Sequence, residues 1–210
     1  MIFIDKTILE SLDNGNIVIA PFNKANLGTN SVDLTLSPRM KTYVNGDKWF
    51  YENHVQGKPC FSIRDENSET FHLFGLTKGY FIDCKENNET VEHEIPEEGF
   101  ILQPGKLYIA STNEYTETWN AVPKLEGRSS LGRLGLFIHV TAGYGDVGFC
   151  GQWTLELVAT IPLRIYPNMK ICQISYHGIS EKPNIDYSKK ESAKYSGQMG
   201  ATASKMHENF

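Results

Sequence analysis

The brevity of the apolar runs constrains this chain more than any other feature. From residue 17 onward they are short, many alternate, and Gly, Pro, Asn or Asp punctuates them: Ile17 to Ala20, Val32 to Leu36, Phe100 to Leu102, Leu107 to Ala110, Leu136 to Val140, Trp153 to Ala159 and Ile171 to Tyr176. Runs of this length between turn residues read as strands. A chain of many short strands closes as a sandwich or barrel, so the expected class is mainly β with a few short helices. The clearest strand spans residues 152 to 160, QWTLELVAT. Trp153, Leu155, Leu157 and Ala159 face one way, and Thr154, Glu156 and Val158 face the other. Glu156 therefore lies opposite the main apolar face. One helix precedes the strands. Asp5 is placed to cap it, Ile8, Leu9 and Leu12 share its face, and Gly15 stands where it would stop.

The chain's 210 residues suffice for one domain, read as residues 1 to 210, with its own core. Its hydrophobic fraction of 40% and charged fraction of 21% are ordinary for a globular protein. A net charge of -5 argues against nucleic acid as a partner, because that binding needs many cations on one face. No apolar stretch reaches the roughly 18 residues that a membrane helix needs, and the opening MIFIDKTILESL lacks the pattern of a signal peptide. No membrane is expected as a partner, and the expected location is cytoplasmic. Cys60, Cys84, Cys150 and Cys172 are widely spaced and form no C-x-x-C pair, which reads as single thiols rather than a disulfide framework.

Two stretches stand apart. Residues 45 to 98 are rich in Asn, Glu, Lys and His with weak periodicity, and read as an elaborated hairpin or insertion within the domain. Residues 181 to 210 have little apolar content, with 5 Lys against 4 acidic residues. Such a tail is expected to be mobile and to order on a ligand.

Arginine is scarce, yet two of the five fall within Gly127-Arg128-Ser129-Ser130-Leu131-Gly132-Arg133. A helical turn across 129 to 133 puts Ser129 and Arg133 on one face and leaves amides free at its start. Guanidinium forks, hydroxyls and such amides suit a phosphate chain, and Gly127 and Gly132 allow close approach. On these residues alone, a solvated turn with structural salt bridges accounts for the string equally well. The second cluster is Thr141-Ala142-Gly143-Tyr144-Gly145-Asp146-Val147-Gly148-Phe149-Cys150-Gly151, a glycine-rich turn between two strands. Tyr144 offers a ring face and Asp146 a carboxylate for a sugar hydroxyl or a water; a tight hairpin in which Asp146 satisfies its own backbone is the plainer alternative.

Taken together and in order, GRSSLGRLGL, HVTAGYGDVGF and QWTLEL resemble the dCTP deaminase family of the dUTPase superfold. The likeness extends to DKTILESLDNGNIVIAPF, TNSVDLTL, GFILQPGKLYIASTNEYTE, Tyr187 and the segment Ala193 to Gln198, and is loose only over 45 to 98. It implies a distorted β-barrel or jelly roll, a homotrimer with active sites between subunits, and Mg²⁺ carried on the triphosphate of dCTP. No zinc is implied, and the H-x-E and P-C-x-x-C ligands of zinc deaminases are absent from the sequence. By position, the resemblance makes Glu156 the general acid/base, with Ser129, Arg133 and the carbonyl of Ala142 holding the water. Arg128, Ser130 and the neighbouring amides of Leu131 and Gly132 would take phosphates, with Tyr187, Lys194 and Gln198 closing from the tail. Asp146 would take the 3′-hydroxyl, Thr154 and Leu155 would meet the pyrimidine edge through the backbone, and Gln173 resembles a further nucleotide contact.

The first activity implied is hydrolysis of dCTP to dUTP and ammonia, with dUTP and an inhibitory dTTP as related ligands of the family. One departure points elsewhere. Where strict deaminases of one branch carry His-Arg after this alanine, the chain has Gly143-Tyr144, similar to dUTPases and to bifunctional enzymes that form dUMP, ammonia and pyrophosphate. In those enzymes the acid at Asp146 also assists attack on the α-phosphate, although Gly145 replaces their usual aliphatic residue. A pure dUTPase fits less well, because its glycine-rich arm with Arg and Phe is missing. A nucleotide sensor on the same fold would lack Glu156 or the Arg-Ser-Ser cluster, and both are intact. Asn168 and Cys172 stand where glycine is common; the first tolerates left-handed geometry, and the second reads as a packing variation.

Overall fold

A computed structural model of the chain describes residues 1–51, 63–64, 71–72, 81–139 and 141–210. Cys60, Val140 and much of the 45 to 98 stretch lie outside the described residues. The chain divides into two units, Met1–Met40 with His93–Thr202, and Lys41–Glu92 with Ala203–Phe210.

The first unit opens with α1 (Asp5–Asp13), but Ile4 rather than Asp5 is its N-cap. The amide of Phe3 donates to Tyr176 O and that of Asp5 to Thr29 O, which keeps the chain extended up to residue 4. Asp5 thus becomes the first helical residue, where a carboxylate favours the positive end of the helix dipole. Ile8 and Ser11 are buried beneath the helix, and Gly15 ends it at φ 75°.

The mainly β reading holds, for most of the remaining elements are strands. These are β1 (Ile17–Ala20), β2 (Val32–Tyr43), β3 (Ile63–Arg64), β4 (Phe71–His72), β5 (Thr90–Glu94), β6 (Phe100–Leu102), β7 (Tyr108–Thr118), β8 (Ala121–Gly127), β9 (Leu136–Ile138), β10 (Cys150–Ala159), β11 (Leu163–Ile165) and β12 (Lys170–Gly178), with one helical turn, α3 (Ser129–Gly132), between β8 and β9. The main sheet has eight strands in the order β8-β12-β2-β7-β10-β9, with β1 added on β7 and β5 on β2; β11 pairs with β6. The sequence offered β8 only as strand-like residues, because Pro123, Lys124 and Glu126 interrupt its apolar pattern. It is the end strand of the sheet order, where a missing proline N–H breaks no ladder.

Burial alternates along β10 as the sequence pattern requires: Trp153, Leu155, Leu157 and Ala159 are buried, while Gln152, Thr154, Glu156 and Val158 are half-buried. The inward residues join Ile8, Ile17, Leu34, Leu36, Leu125, Ile174 and Tyr176 in the core. Cys172 is fully buried among them, and burial pushes its thiol pKa well up, helped by the nearby carboxylates of Glu114 and Asp33.

β7 and β10 carry an irregularity that matters for the site. Gln152 pairs with Tyr115 but Thr154 pairs with Ser111, so β7 bulges outward across Thr112, Asn113 and Glu114. Thr112 Oγ1 replaces the lost ladder acceptor and takes the Trp153 amide at 3.0 Å. Glu114 turns its carboxylate onto Thr35, accepting from its amide at 2.9 Å and its hydroxyl at 2.8 Å.

In the second unit, α2 (Val44–Phe50) follows the end of β2. The Val44 amide donates to Glu89 O, the Ser204 amide donates to Tyr43 Oη at 2.9 Å, and Lys85 lies over the Phe210 ring. Cys84 is exposed.

Candidate active site

Glu156 stands on the half-buried face of β10, with 38% of its side chain exposed. One carboxylate oxygen lies 2.5 Å from Nδ1 of His139, whose side chain is 9% exposed. Local backbone geometry produces this meeting. β9 pairs with β10 through Ile138 and Leu157, and the next residue, His139, turns left-handed at φ 51°. A bulky residue adopts that conformation at a cost of about 1–3 kcal/mol, which surrounding contacts must hold in place. Trp153 is one such contact: its indole meets the imidazole edge-on at 6.3 Å and is itself fixed by a 2.9 Å hydrogen bond from Nε1 to Thr116 Oγ1.

The glycine-rich turn folds back on β8. Leu125 donates to Gly143 O at 2.7 Å, Gly145 donates to Pro123 O at 2.8 Å, and Lys124 bridges Tyr144. Two glycines here are steric requirements. A Cβ on Gly143 would come within 2.5 Å of Leu125 O, and one on Gly145 within 2.4 Å of the Trp153 ring. Gly145 is thus explained where the family pattern suggested an aliphatic residue: Trp153 already occupies the space. Between the turn and β8 lies a cleft of roughly 430 Å³ lined by residues that include Leu125, Gly127, His139, Ala142 and Tyr144. Ala142 is exposed at its mouth. The Tyr144 ring is 66% exposed and faces His177 at 5.9 Å, and Asp146 is exposed near the far end of the turn.

The Arg-Ser-Ser string forms α3 as the spacing predicts, with Arg128 as its N-cap. Arg133 donates its amide to Ser129 O at 3.1 Å, which closes the turn, and Ser129, Ser130, Gly132 and Arg133 are exposed while Leu131 is buried. Arg128 is held from β2: its Nε lies 3.0 Å from Asp33 Oδ1, while Lys170 Nζ lies 3.2 Å from the other oxygen. This side contact through Nε leaves, among the described residues, the two terminal nitrogens of the guanidinium for another acceptor. Gln173 sits beside it on β12, accepting from Ser31 Oγ at 3.1 Å and donating to Gly127 O at 3.4 Å.

The tail begins against Val147 and Phe149 and runs along β10 from Gly197. Tyr187 donates its amide to Val147 O, and its ring meets Phe149 at 6.2 Å. Tyr187 Oη accepts from the Tyr195 amide at 3.2 Å, one residue beyond Lys194. Gln198 forms a parallel bridge with Gly151 and donates through Nε2 to Gln152 O at 2.7 Å. The Thr202 amide donates to Thr154 Oγ1 at 3.2 Å.

Glu156, Thr154 and Leu155 thus share one strand, Ala142 lines the adjoining cleft, and Gln198 runs along the same strand. Arg128 and Gln173 flank Gly127 as a second group. Among the described residues, no hydrogen bond or ion pair joins Ser129 or Arg133 to Glu156. Sequence reasoning missed His139, Asp33 and the supporting role of Trp153. His139 stood in the quoted HVTAGYGD string, and its signal was a histidine directly after a strand. Asp33 was readable as the outward acid between inward Val32 and Leu34 in TNSVDLTL.

Comparison with known proteins bears on this arrangement. A family model described as dCTP deaminase-like matches residues 2–179. Two relatives from Clostridium botulinum, strains Alaska E43 and Eklund 17B, are 41% and 42% identical over 210 residues, covering 100% of this chain and 99% of theirs; both are named dCTP deaminase, dUMP-forming. A relative of the same name from Cytophaga hutchinsonii is 40% identical over 195 residues, covering 93% of this chain and 91% of its own. Among solved structures, the 2′-deoxycytidine 5′-triphosphate deaminase from Agrobacterium tumefaciens shares the fold with a TM-score of 0.54 at 16% identity. That match covers 85% of this chain and 48% of the other, so this chain spans about half the length of that one. With the family model spanning most of its length and the relatives matching it end to end, the chain belongs to the dCTP deaminase-like family.

Proposed function

We propose that this protein hydrolyses dCTP to dUMP, ammonia and pyrophosphate. The observation that carries the reading is Glu156, set on β10 against His139 and beside the cleft that holds Ala142, in a chain whose full-length relatives are named dUMP-forming. The first expectation from sequence, release of dUTP, gives way to the bifunctional alternative, which the relatives' names favour and the Ala142-Gly143-Tyr144-Gly145-Asp146 turn had already raised.

Two waters are consumed. In the first step Glu156 takes a proton from a water attacking C4 of the cytosine and gives it to N3; it then carries the second proton, from the new C4 hydroxyl, to the amino group, which leaves as ammonia while the C4 carbonyl forms. The Ala142 carbonyl, Ser129 and Arg133 hold that water and steady the charge growing at C4. His139, which lines the cleft, fixes the orientation of the Glu156 carboxylate beside it. In the second step a water attacks the α-phosphorus and pyrophosphate leaves, with Asp146 orienting that water and holding the 3′-hydroxyl. The substrate is the Mg²⁺ complex of dCTP, the ion riding on triphosphate oxygens, as this small hard cation prefers. Arg128, Ser130 and the amides of Leu131 and Gly132 take the phosphates, joined by Tyr187, Lys194 and Gln198 from the tail. Thr154 and Leu155 offer backbone groups to the pyrimidine edge, and Gln173 supports the nucleotide beside Arg128.

A homotrimer belongs to this reading. Its support is that Ser129 and Arg133 are exposed and make no polar contact with Glu156 among the described residues, which suits a site completed by a neighbouring chain. The reading is tested by incubating the purified chain with dCTP and Mg²⁺ and separating the nucleotides. Appearance of dUMP supports it; accumulation of dUTP returns the assignment to the monofunctional deaminase.

A further inference from the structure

Gln152 has no part in the chemistry above, yet it is the most heavily engaged polar residue on the outer face of β10. Its side-chain Nε2 donates to Asn113 O at 2.9 Å, and its Oε1 accepts from the Gly200 amide at 2.6 Å. Its backbone amide donates to Gln198 O at 3.0 Å, and its backbone oxygen accepts from Gln198 Nε2 at 2.7 Å. Three of these four bonds go to the tail. The fourth fixes the side chain's direction, and it exists because the β7 bulge turns the Asn113 carbonyl toward Gln152. Residues on either side are shaped for the same purpose. Gly151, at φ 147°, leaves no room for a Cβ, which would come within 2.8 Å of Gln198 O, and Thr154 takes the Thr202 amide two residues on.

We infer that Gln152 is a positioning residue that clasps the segment 198–202 along β10, so that the tail is registered on the strand that carries Glu156. Gln152, Thr154 and Glu156 follow one another on a single face. The first two hold the tail, and the third meets His139, which lines the cleft. A tail held in this register delivers Gln198 to the nucleotide in a fixed position, so less of the ordering cost falls on substrate binding than for the mobile tail expected from sequence. The inference rests on the reading of the tail as a nucleotide contact, and the tests separate the two.

The variant Gln152→Met keeps the length and packing of the side chain and removes both its donor and its acceptor. Hydrogen exchange of the Gly200 and Thr202 amides is measured first, on the full-length protein without nucleotide, and is expected to quicken at least tenfold while the melting temperature stays within a few degrees. Steady-state kinetics with dCTP should then show KM raised about tenfold and kcat within threefold of the parent. Gly200→Ala attacks the same bond from the tail, because alanine is strained at φ 71° although the space around it is open. The two substitutions should be clearly less than additive in KM, as expected for residues sharing one contact. Unchanged exchange at Gly200 overturns the clasp, as does a KM that stays at the parental value while exchange quickens, or full additivity of the pair. Failure of the parent protein to act on dCTP overturns the functional reading instead and leaves the exchange result to judge the clasp.

Discussion

The α3 turn and the β9–β10 corner are built in opposite ways. α3 is local: Arg128 through Arg133 are consecutive, mostly exposed, and take their shape from one helical turn. The corner is assembled from a distance. Glu156 finds His139 only because Leu157 pairs with Ile138, and the turn between them closes only because Gly145 lies flat on Trp153. The lesson is that the shape of a helical-turn string can be read from sequence, whereas a carboxylate acquires a chemical setting only through strand register and packing.

The contrast predicts different failures in the two regions. The largest effect should come from Glu156→Gln, which keeps shape and removes the base. Ammonia release should fall about 10³-fold, in the range of a lost general base, while dCTP binding measured by calorimetry stays within about threefold. Substantial residual deamination would remove Glu156 from the chemistry. Next comes Gly145→Val, which drives a branched side chain into Trp153 and Pro123. A loss of about 2–3 kcal/mol is expected from overpacking, read as a lower urea midpoint, with kcat falling because Trp153 also steadies His139. A variant as stable as the parent would mean that the corner is not set by this packing.

The α3 turn should respond without any loss of fold. Arg128→Ala should raise KM for dCTP about 10–50-fold, in line with losing a charge-assisted contact of roughly 1.5–3 kcal/mol, and leave the melting temperature almost unchanged. Asp33→Asn should raise KM only severalfold, since Arg128 keeps an acceptor but loses a charge partner. Equal effects of the two would show that Arg128 acts only through Asp33. The smallest effect concerns Tyr115, paired with Gln152 across β7 and β10. Burial, followed by its hydrogen bond to Glu117, raises its phenol from 10.0 to about 12. The folded state holds this proton more tightly, so the contribution is complete below pH 10 and is lost as pH climbs toward 12. Tyr115→Phe should flatten that part of the stability profile, and an unchanged slope would assign the alkaline loss to other groups.

How far the sequence could be read follows the same division. The alternation of QWTLELVAT placed Glu156 on the correct face of β10, and the i, i+4 spacing of Ser129 and Arg133 anticipated α3. Period-two and single-turn patterns are local properties, and the chain carries them openly. Asp5 was misread as a cap, because the contacts of Phe3 and Asp5 with Tyr176 and Thr29 decide where the helix starts. His139 and Asp33 escaped because their partners, Glu156 and Arg128, lie 17 and 95 residues away. β8 was obscured by Pro123, which the end position of that strand makes harmless. The bulge in β7 had no local signature, and Gln152 takes its meaning from that bulge.

The most direct test is the ratio of products during turnover of Mg²⁺-bound dCTP by the purified chain, with ammonia and pyrophosphate followed in the same sample. The account predicts that the two appear in equal amounts from the earliest time points, with dUMP matching both. Ammonia without pyrophosphate, or pyrophosphate without ammonia, would contradict it.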